Sequence, residues 1–368
     1  MNPFPVPATR LTLIVPGKPD QRTGGYLYDA RIVEGLRALG RTVEVVGLDG
    51  RFPRADETAR RAMREALAAM DEGGVAVIDG LALGGVPESV APYAHHRVLI
   101  GLVHHPLADE TGLAESQQRR LLASERAALS HCRSVIVTSP FTRRRLRELH
   151  LINQQPVHVV EPGVDPAPLA CRVEERLNGR APEDPSRLLC VASLSPRKGQ
   201  DVLLEALSRL SNRPWTLQLV GSPDRAPDFA RTIRDRIRTA GLGAHVSLVG
   251  EVDARRLAEL YDQADVCLLP SWYEGYGMVV TEALARGLPL IATTGGALQD
   301  TLPDTAALRV EPGRVDALCQ AIERWLDDPG LRLKLTRAAL NERAGLSDWP
   351  TAAQRFANVL ATSMDPAE

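Results

Sequence analysis

Apolar residues fall in short blocks along this chain, and the blocks alternate with stretches of helical spacing. Residues 11–15 precede a helical pattern at 25–39, and 42–46 precede one at 56–70. Blocks at 75–78 and 97–103 lead to a long helical stretch at 115–131; 134–138 leads to 141–149, and 156–160 closes the series. After residue 185 the rhythm resumes. Block 187–192 is followed by a helix at 200–210, 216–220 by 228–240, 246–249 by 254–263 and 265–270 by 278–286, before 290–293, 308–310 and helices near 315–326 and 331–343. Strands alternating with helices predict a parallel sheet covered on both faces. Two such series predict two doubly wound α/β domains, with ligands at the carboxyl ends of the strands. Between them, residues 162–185 hold Pro162, Gly163, Pro166, Pro168, Gly179, Pro182 and Pro185, a turn-rich composition that reads as a linker.

Composition narrows the class. A length of 368 residues exceeds one ordinary core and suits roughly two domains. Hydrophobic residues make up 44% and charged residues 24%, as in soluble globular proteins. The 44 basic and 46 acidic residues leave a net charge of −2, which gives no electrostatic case for nucleic acid. Five cysteines, Cys132, Cys171, Cys190, Cys267 and Cys319, contain no Cys-x-x-Cys pair, so zinc and a disulfide framework are both poorly supported. No signal peptide and no run of about 20 apolar residues is visible. The expectation is a reduced, cytoplasmic protein with at most peripheral membrane contact. Arg143, Arg144, Arg145 and Arg147, beside apolar Leu146 and Leu149, read as a solvated helix face or as a patch for an anionic lipid or acidic partner.

Four strand ends carry chemistry. The run Pro270-Ser-Trp-Tyr-Glu-Gly-Tyr-Gly-Met-Val-Val-Thr-Glu sets Glu274 and Glu282 with seven residues between them, Gly275, Tyr276 and Gly277 among those. A strand, a glycine turn and a helix start can hold a diphosphate and the hydroxyls around it, the amides near Met278 and Val279 pointing at the anion. Val280 occupies the place of the third glycine of a dinucleotide fingerprint, which counts against NAD. Ser193-Leu-Ser-Pro-Arg-Lys-Gly199 puts Lys198 beside a helix start, suited to phosphate or simply a surface cation. Gly24 and Gly25 open the first helix, as a phosphate-approaching turn or a flexible one. His104 and His105 end block 97–103, where a histidine can hydrogen-bond a sugar hydroxyl. Neighbours in an extended run face opposite ways, and no matching ligand set is visible, so no metal is expected. Gly221 and Gly250, each just past a strand, are further candidates.

At these residues the chain resembles glycosyltransferase family 4, retaining enzymes of the GT-B architecture. The likeness covers nearly the whole chain and is densest from 187 to 296. Glu274 and Glu282 with their glycines match the family hallmark. Ser193 to Gly199 match its phosphate segment, Glu161-Pro-Gly-Val-Asp165 the turn ending the first domain, and Gly287-Leu-Pro289 and Thr294-Gly-Gly296 its glycine runs. The resemblance implies two Rossmann-like domains facing across a cleft. The first is 1–165, on the acceptor side. The second is 166–346, binding the nucleotide sugar, and the tail helix 347–364 packs back onto the first. It implies that Lys198 neutralises the donor diphosphate, Glu282 holds the ribose, and Glu274 contacts the transferred sugar. It also implies that amides of 277–279 touch diphosphate and sugar, Gly24 and Gly25 close over the phosphate, and His104 contacts the donor sugar. One departure stands out: the family's arginine five residues before the lysine is Ser193 here. Arg197 is the nearest replacement, although neighbouring side chains are expected to diverge.

The resulting expectation is a retaining transfer of a hexose from a UDP- or GDP-sugar to an acceptor hydroxyl, with no metal and no cofactor beyond the donor. The leaving diphosphate itself takes the acceptor proton, so catalysis is orientation and charge stabilisation. The acceptor, a saccharide, lipid or small molecule, has no readable motif. Rival readings on the same frame are a glycosyl phosphorylase, a nucleotide-sugar epimerase and a non-enzymatic sugar-nucleotide binding protein.

Overall fold

The computed structural model describes residues 10–179 and 185–364; Pro182, counted above in the linker, lies outside them. The chain divides after Gly163 and again after Leu346, so that one compact unit takes the first and last segments and a second takes the middle.

The first unit is built on six parallel strands: β1 (Leu11–Pro16), β2 (Val43–Leu48), β3 (Val75–Asp79), β4 (Val98–Val103), β5 (Ser134–Val137) and β6 (Val157–Val159), in the order β2-β1-β3-β4-β5-β6. Every residue of β1 and β3 is buried, which is why these strands read as unbroken apolar runs instead of alternating ones. The helix Gly24–Ala38 lays Tyr28, Ile32, Val33 and Leu36 onto the sheet at helical spacing. Helix Trp349–Met364, from the far end of the chain, packs beside it: a Cβ placed on Gly35 would stand 2.3 Å from the Cβ of Ala353.

The second unit repeats the plan with β7 (Ser186–Val191), β8 (Trp215–Val220), β9 (Val246–Gly250), β10 (Val266–Leu269), β11 (Leu290–Thr293) and β12 (Ala307–Val310), ordered β12-β11-β10-β7-β8-β9. Its core lies on both sheet faces, one around Leu203, Trp215, Ile322 and Trp325, the other around Tyr261, Val280, Leu284 and Leu288. The two doubly wound α/β units of the GT-B plan are thus present.

Two readings of local structure change. The stretch taken as a linker contains a helix, Cys171–Leu177, whose Val173 is fully buried. Its Arg172 and Arg176 both pair with buried Asp265, at 2.9 and 2.5 Å. The arginine run is also less uniform than a solvated face. Arg145 makes two hydrogen bonds to Asp109, at 2.9 and 2.8 Å, while Arg144 and Arg147 stay exposed.

Candidate functional site

In each sheet the winding direction reverses once, and the loops at that reversal splay apart to leave room for a ligand. In the second unit the reversal falls between β7 and β10. The loop after β7 carries Ser193–Gly199, and the loop after β10 carries Ser271–Gly277. The chemistry-bearing segments, about 75 residues apart in sequence, therefore sit side by side for a topological reason.

A short turn, Pro196–Lys198, ends in Gly199 with φ +67°, a left-handed conformation that favours glycine. A Cβ there would also meet the Pro270 carbonyl oxygen at 2.1 Å, so the two loops touch backbone to backbone. From this turn Lys198 Nζ donates to both oxygens of Glu274, at 2.6 and 2.8 Å. Ser271 Oγ donates to the same carboxylate at 2.6 Å. Arg197 approaches it to 3.7 Å and donates to the Tyr273 carbonyl at 2.9 Å. The expected divergence of Arg197 and Lys198 is not observed. The tight turn, unlike an extended strand, brings both side chains to one carboxylate. Burial raises the Glu274 pKa, but the Lys198 and Arg197 charges outweigh it and hold the carboxyl below its usual range. Burial draws Lys198 below its ordinary value, against the pull of Glu274.

Behind Glu274, its N–H donates to Gly295 O at 3.3 Å and its carbonyl accepts from Ala297 N–H at 2.8 Å. The glycine run after β11 thus clamps the backbone at Glu274. Gly277, at φ +91°, starts the helix Met278–Leu284, whose first amides have no partner within the helix. One turn into that helix, Glu282 takes a separate set of partners. Tyr261 Oη donates to it at 2.7 Å, and Arg286 donates to its backbone carbonyl at 3.0 Å while lying over the Tyr261 ring. Burial raises the Glu282 pKa, opposed by the Tyr261 hydrogen bond and Arg286. The two glutamates have different surroundings and opposite shifts. Ser193 O accepts from the buried Gln200 side chain at 2.9 Å, and Gly221 N–H donates to Gly250 O at 2.8 Å at the ends of β8 and β9.

In the first unit the reversal lies between β1 and β3. Gly24 and Gly25 follow β1, Asp79 ends β3, and His104 follows β4. His104 Nε2 lies 3.2 Å from Asp29 Oδ1 and 3.4 Å from Asp79 Oδ2, and its ring stands edge-on to Tyr28. A Cβ on Gly25 would be 3.3 Å from the His104 ring, so this glycine is the clearance for the imidazole. Burial favours neutral His104, but the two carboxylates reverse this and raise its pKa to about 10. Asp29 itself is pushed up to about 6, chiefly by burial. His105 turns elsewhere, its Nε2 3.6 Å from Glu110. The sequence shows no ligand set for His104, yet Asp29, Asp79 and His104 place three ligand atoms within 4.8 Å of one another, close enough to hold a cation. The two carboxylates are equally close enough to share the proton on the imidazole Nε2.

Ser271, Tyr261, Asp29 and Asp79 are the partners of the candidate residues that motif reading did not single out. Only Asp29 left a signal: it stands inside the apolar stripe Tyr28, Ile32, Val33, Leu36, where a carboxylate is out of place.

Comparison with known proteins follows the same division. A family model described as Glycosyltransferase Family 4 matches residues 28–168, and one described as Glycosyl transferases group 1 matches 172–342. A D-inositol 3-phosphate glycosyltransferase of Jonesia denitrificans is 28% identical over 246 residues, covering 63% of this chain and 58% of the relative. Glycogen synthase of Mycobacterium tuberculosis is 29% identical over 245 residues, covering 66% of this chain and 57% of the relative. The match thus spans little more than half the length of either relative. Among solved structures, sucrose-phosphate synthase of Thermosynechococcus elongatus superposes with a TM-score of 0.81 at 24% identity, covering 96% of this chain and 98% of that one.

Proposed function

From the premise that this chain belongs to glycosyltransferase family 4, we propose that it is a retaining transferase moving a hexose from a UDP- or GDP-sugar to an acceptor hydroxyl. The observation that carries this reading is the ion pair of Lys198 and Glu274 at the switch point of the second unit, with Glu282 held apart on Tyr261. A carboxylate kept below its usual pKa accepts hydrogen bonds and does not donate a proton, so Glu274 is assigned to sugar hydroxyls and not to general acid catalysis. Glu282 is assigned to the ribose. Lys198 shares its charge with the leaving diphosphate, assisted by the amides of Gly277, Met278 and Val279 at the helix start. Arg197, converging on the same carboxylate, supplies the charge that Ser193 does not. His104, kept protonated by Asp29 and Asp79, is assigned to the transferred sugar as a hydrogen-bond donor.

Under this reading the diphosphate takes the acceptor proton on the face it leaves, and no residue becomes a covalent nucleophile. Nucleotide release from a panel of UDP- and GDP-sugars identifies the donor. Glu274→Gln is expected to lower kcat at least a hundredfold, and wild-type turnover in that variant would remove the assignment. Arg197→Ala is expected to weaken nucleotide binding at least tenfold; no change there, with tighter binding in Ser193→Arg, defeats the compensation. Activity is expected to survive EDTA. A strict magnesium requirement would contradict metal independence and turn attention to Asp29, Asp79 and His104.

A further inference from the structure

The relatives are named for different acceptors, so the acceptor class must come from this chain's own surface. The loop that joins β2 to the helix Glu57–Ala68 lines a depression of about 590 Å³ with Gly50, Arg51, Phe52 and Arg54. The depression is open to solvent and is lined by these four residues of a single loop. The depression lies at the carboxyl end of β2, the sheet neighbour of β1 and one strand removed from the reversal between β1 and β3.

The loop is held on both sides. A Cβ on Gly50 would stand 2.4 Å from Ala59 N, and one on Gly85 would stand 2.1 Å from Pro53 O, so backbone presses on backbone at each end. Asp56 caps the helix through Ala59 N–H at 3.0 Å and accepts from Arg51 N–H and Nε–H at 3.3 and 3.2 Å. Phe52 packs against the core of the unit. On this fixed frame the two guanidinium groups are barely used. The Arg51 side chain is 82% exposed despite its contact with Asp56. Arg54 is exposed, and among the described residues its side chain has no ion pair or hydrogen bond. Two like charges three residues apart repel unless an anion lies between them. A planar guanidinium fork matches phosphate oxygens bidentately, and a phosphate monoester carries between one and two negative charges near neutral pH.

We propose that Arg51 and Arg54 form the phosphate subsite for the acceptor, and that the acceptor is a soluble phosphorylated sugar or polyol. This rests on the glycosyltransferase reading above and names its second substrate. The charged group anchors the acceptor and leaves a free hydroxyl to receive the hexose. The class of reaction that supplies this substrate is therefore a phosphorylation or a phosphosugar isomerisation.

Isothermal titration on the full chain tests the subsite, using inositol 3-phosphate and fructose 6-phosphate against inositol and fructose. The phosphorylated forms are expected to bind at least tenfold more tightly. Arg54→Ala, which leaves the Arg51–Asp56 contact intact, is expected to reduce that preference by about threefold. R51A/R54A should abolish it, with UDP binding and thermal unfolding unchanged in both, and Arg54→Lys should retain part of it. Equal affinity for phosphorylated and plain forms overturns the proposal, as does an undiminished preference in R51A/R54A. Binding to phosphatidylinositol vesicles but to neither soluble ester also overturns it, in favour of a lipid acceptor. Failure of the chain to bind any nucleoside diphosphate counts against the glycosyltransferase reading. UDP binding and donor turnover without a phosphate preference counts against the subsite alone.

Discussion

Lys198 and Glu274 are both largely withdrawn from water, at 17% and 8% side-chain exposure, so neither can lose its partner cheaply. Removing one half of a buried pair costs about 3 to 5 kcal/mol, because the remaining charge stays desolvated. Lys198→Met is expected to destabilise the second unit by roughly that amount, reduced here because Arg197 remains near the carboxylate. K198M/E274Q should recover part of the loss in urea unfolding, and strict additivity would show that the pair is not energetically coupled. His104 gives a second residue-scale expectation. Its folded pKa of about 10 lies above the ordinary 6.5, so the folded protein keeps a proton that the unfolded chain has released. Its stabilisation is therefore complete below pH 6.5 and is lost as pH rises toward 10. Asp29, raised to about 6 from 3.8, gives a fall in stability over that lower window for the same reason. His104→Gln is expected to flatten the curve of unfolding free energy against pH between 6.5 and 10; an unchanged curve would refute the charged state. The glutamates and the lysine were legible because their glycines and spacing are local. Asp79 and Tyr261 were not, because each meets its partner only through the fold, with 25 residues from Asp79 to His104 and 21 from Tyr261 to Glu282.

At the scale of elements, the strand–helix alternation was readable because each strand of these sheets is a short apolar block with a polar boundary. The helix Cys171–Leu177 was hidden, since seven residues flanked by proline and glycine look like a turn until Arg172 and Arg176 find Asp265. Turn geometry supports a paired test. Gly199 and Gly241 have nearly the same φ, +67° and +68°, but a Cβ meets Pro270 O at 2.1 Å in the first and nothing within 4 Å in the second. Alanine at Gly241 is expected to cost about 1 to 2 kcal/mol, the left-handed penalty alone. Alanine at Gly199 is expected to cost at least about 1 kcal/mol more, because backbone must move, and to weaken nucleotide binding with it. Equal losses in chemical denaturation would show that the loops can separate freely. Helix Glu115–Leu129 offers another. Glu125 is fully buried, accepts from Leu107 N–H at 3.0 Å, and is pushed up to about 8 by burial. Folding thus binds a proton there, and stability should fall as pH rises from 4.5 toward 8. Glu125→Gln is expected to remove that slope while keeping the Leu107 contact.

For the molecule as a whole, the second unit is an insertion between two pieces of the first. The late piece is no ornament: Trp349, Phe356 and Leu360 are buried, and Ser363 Oγ lies 2.8 Å from Ser134 Oγ at the start of β5. Burial of a large apolar side chain contributes about 2 kcal/mol, so these three account for about 6 kcal/mol, comparable with a domain's whole stability. A chain ending at Leu346 is therefore expected to show early melting of the first unit in calorimetry, with the transition of the second unit little changed. A single unaltered transition would show that the final helix is dispensable. The same insertion reverses the usual order of events during synthesis. Domains ordinarily complete from the amino terminus onward. Here the ribosome finishes all of the inserted unit before it makes the helix that closes the first one. The β1–β6 sheet must wait, with the Tyr28 and Gly35 face of its first helix uncovered, for roughly the time needed to translate the inserted segment, 164–346. The segment made before the inserted unit is thus sealed only after that unit is complete.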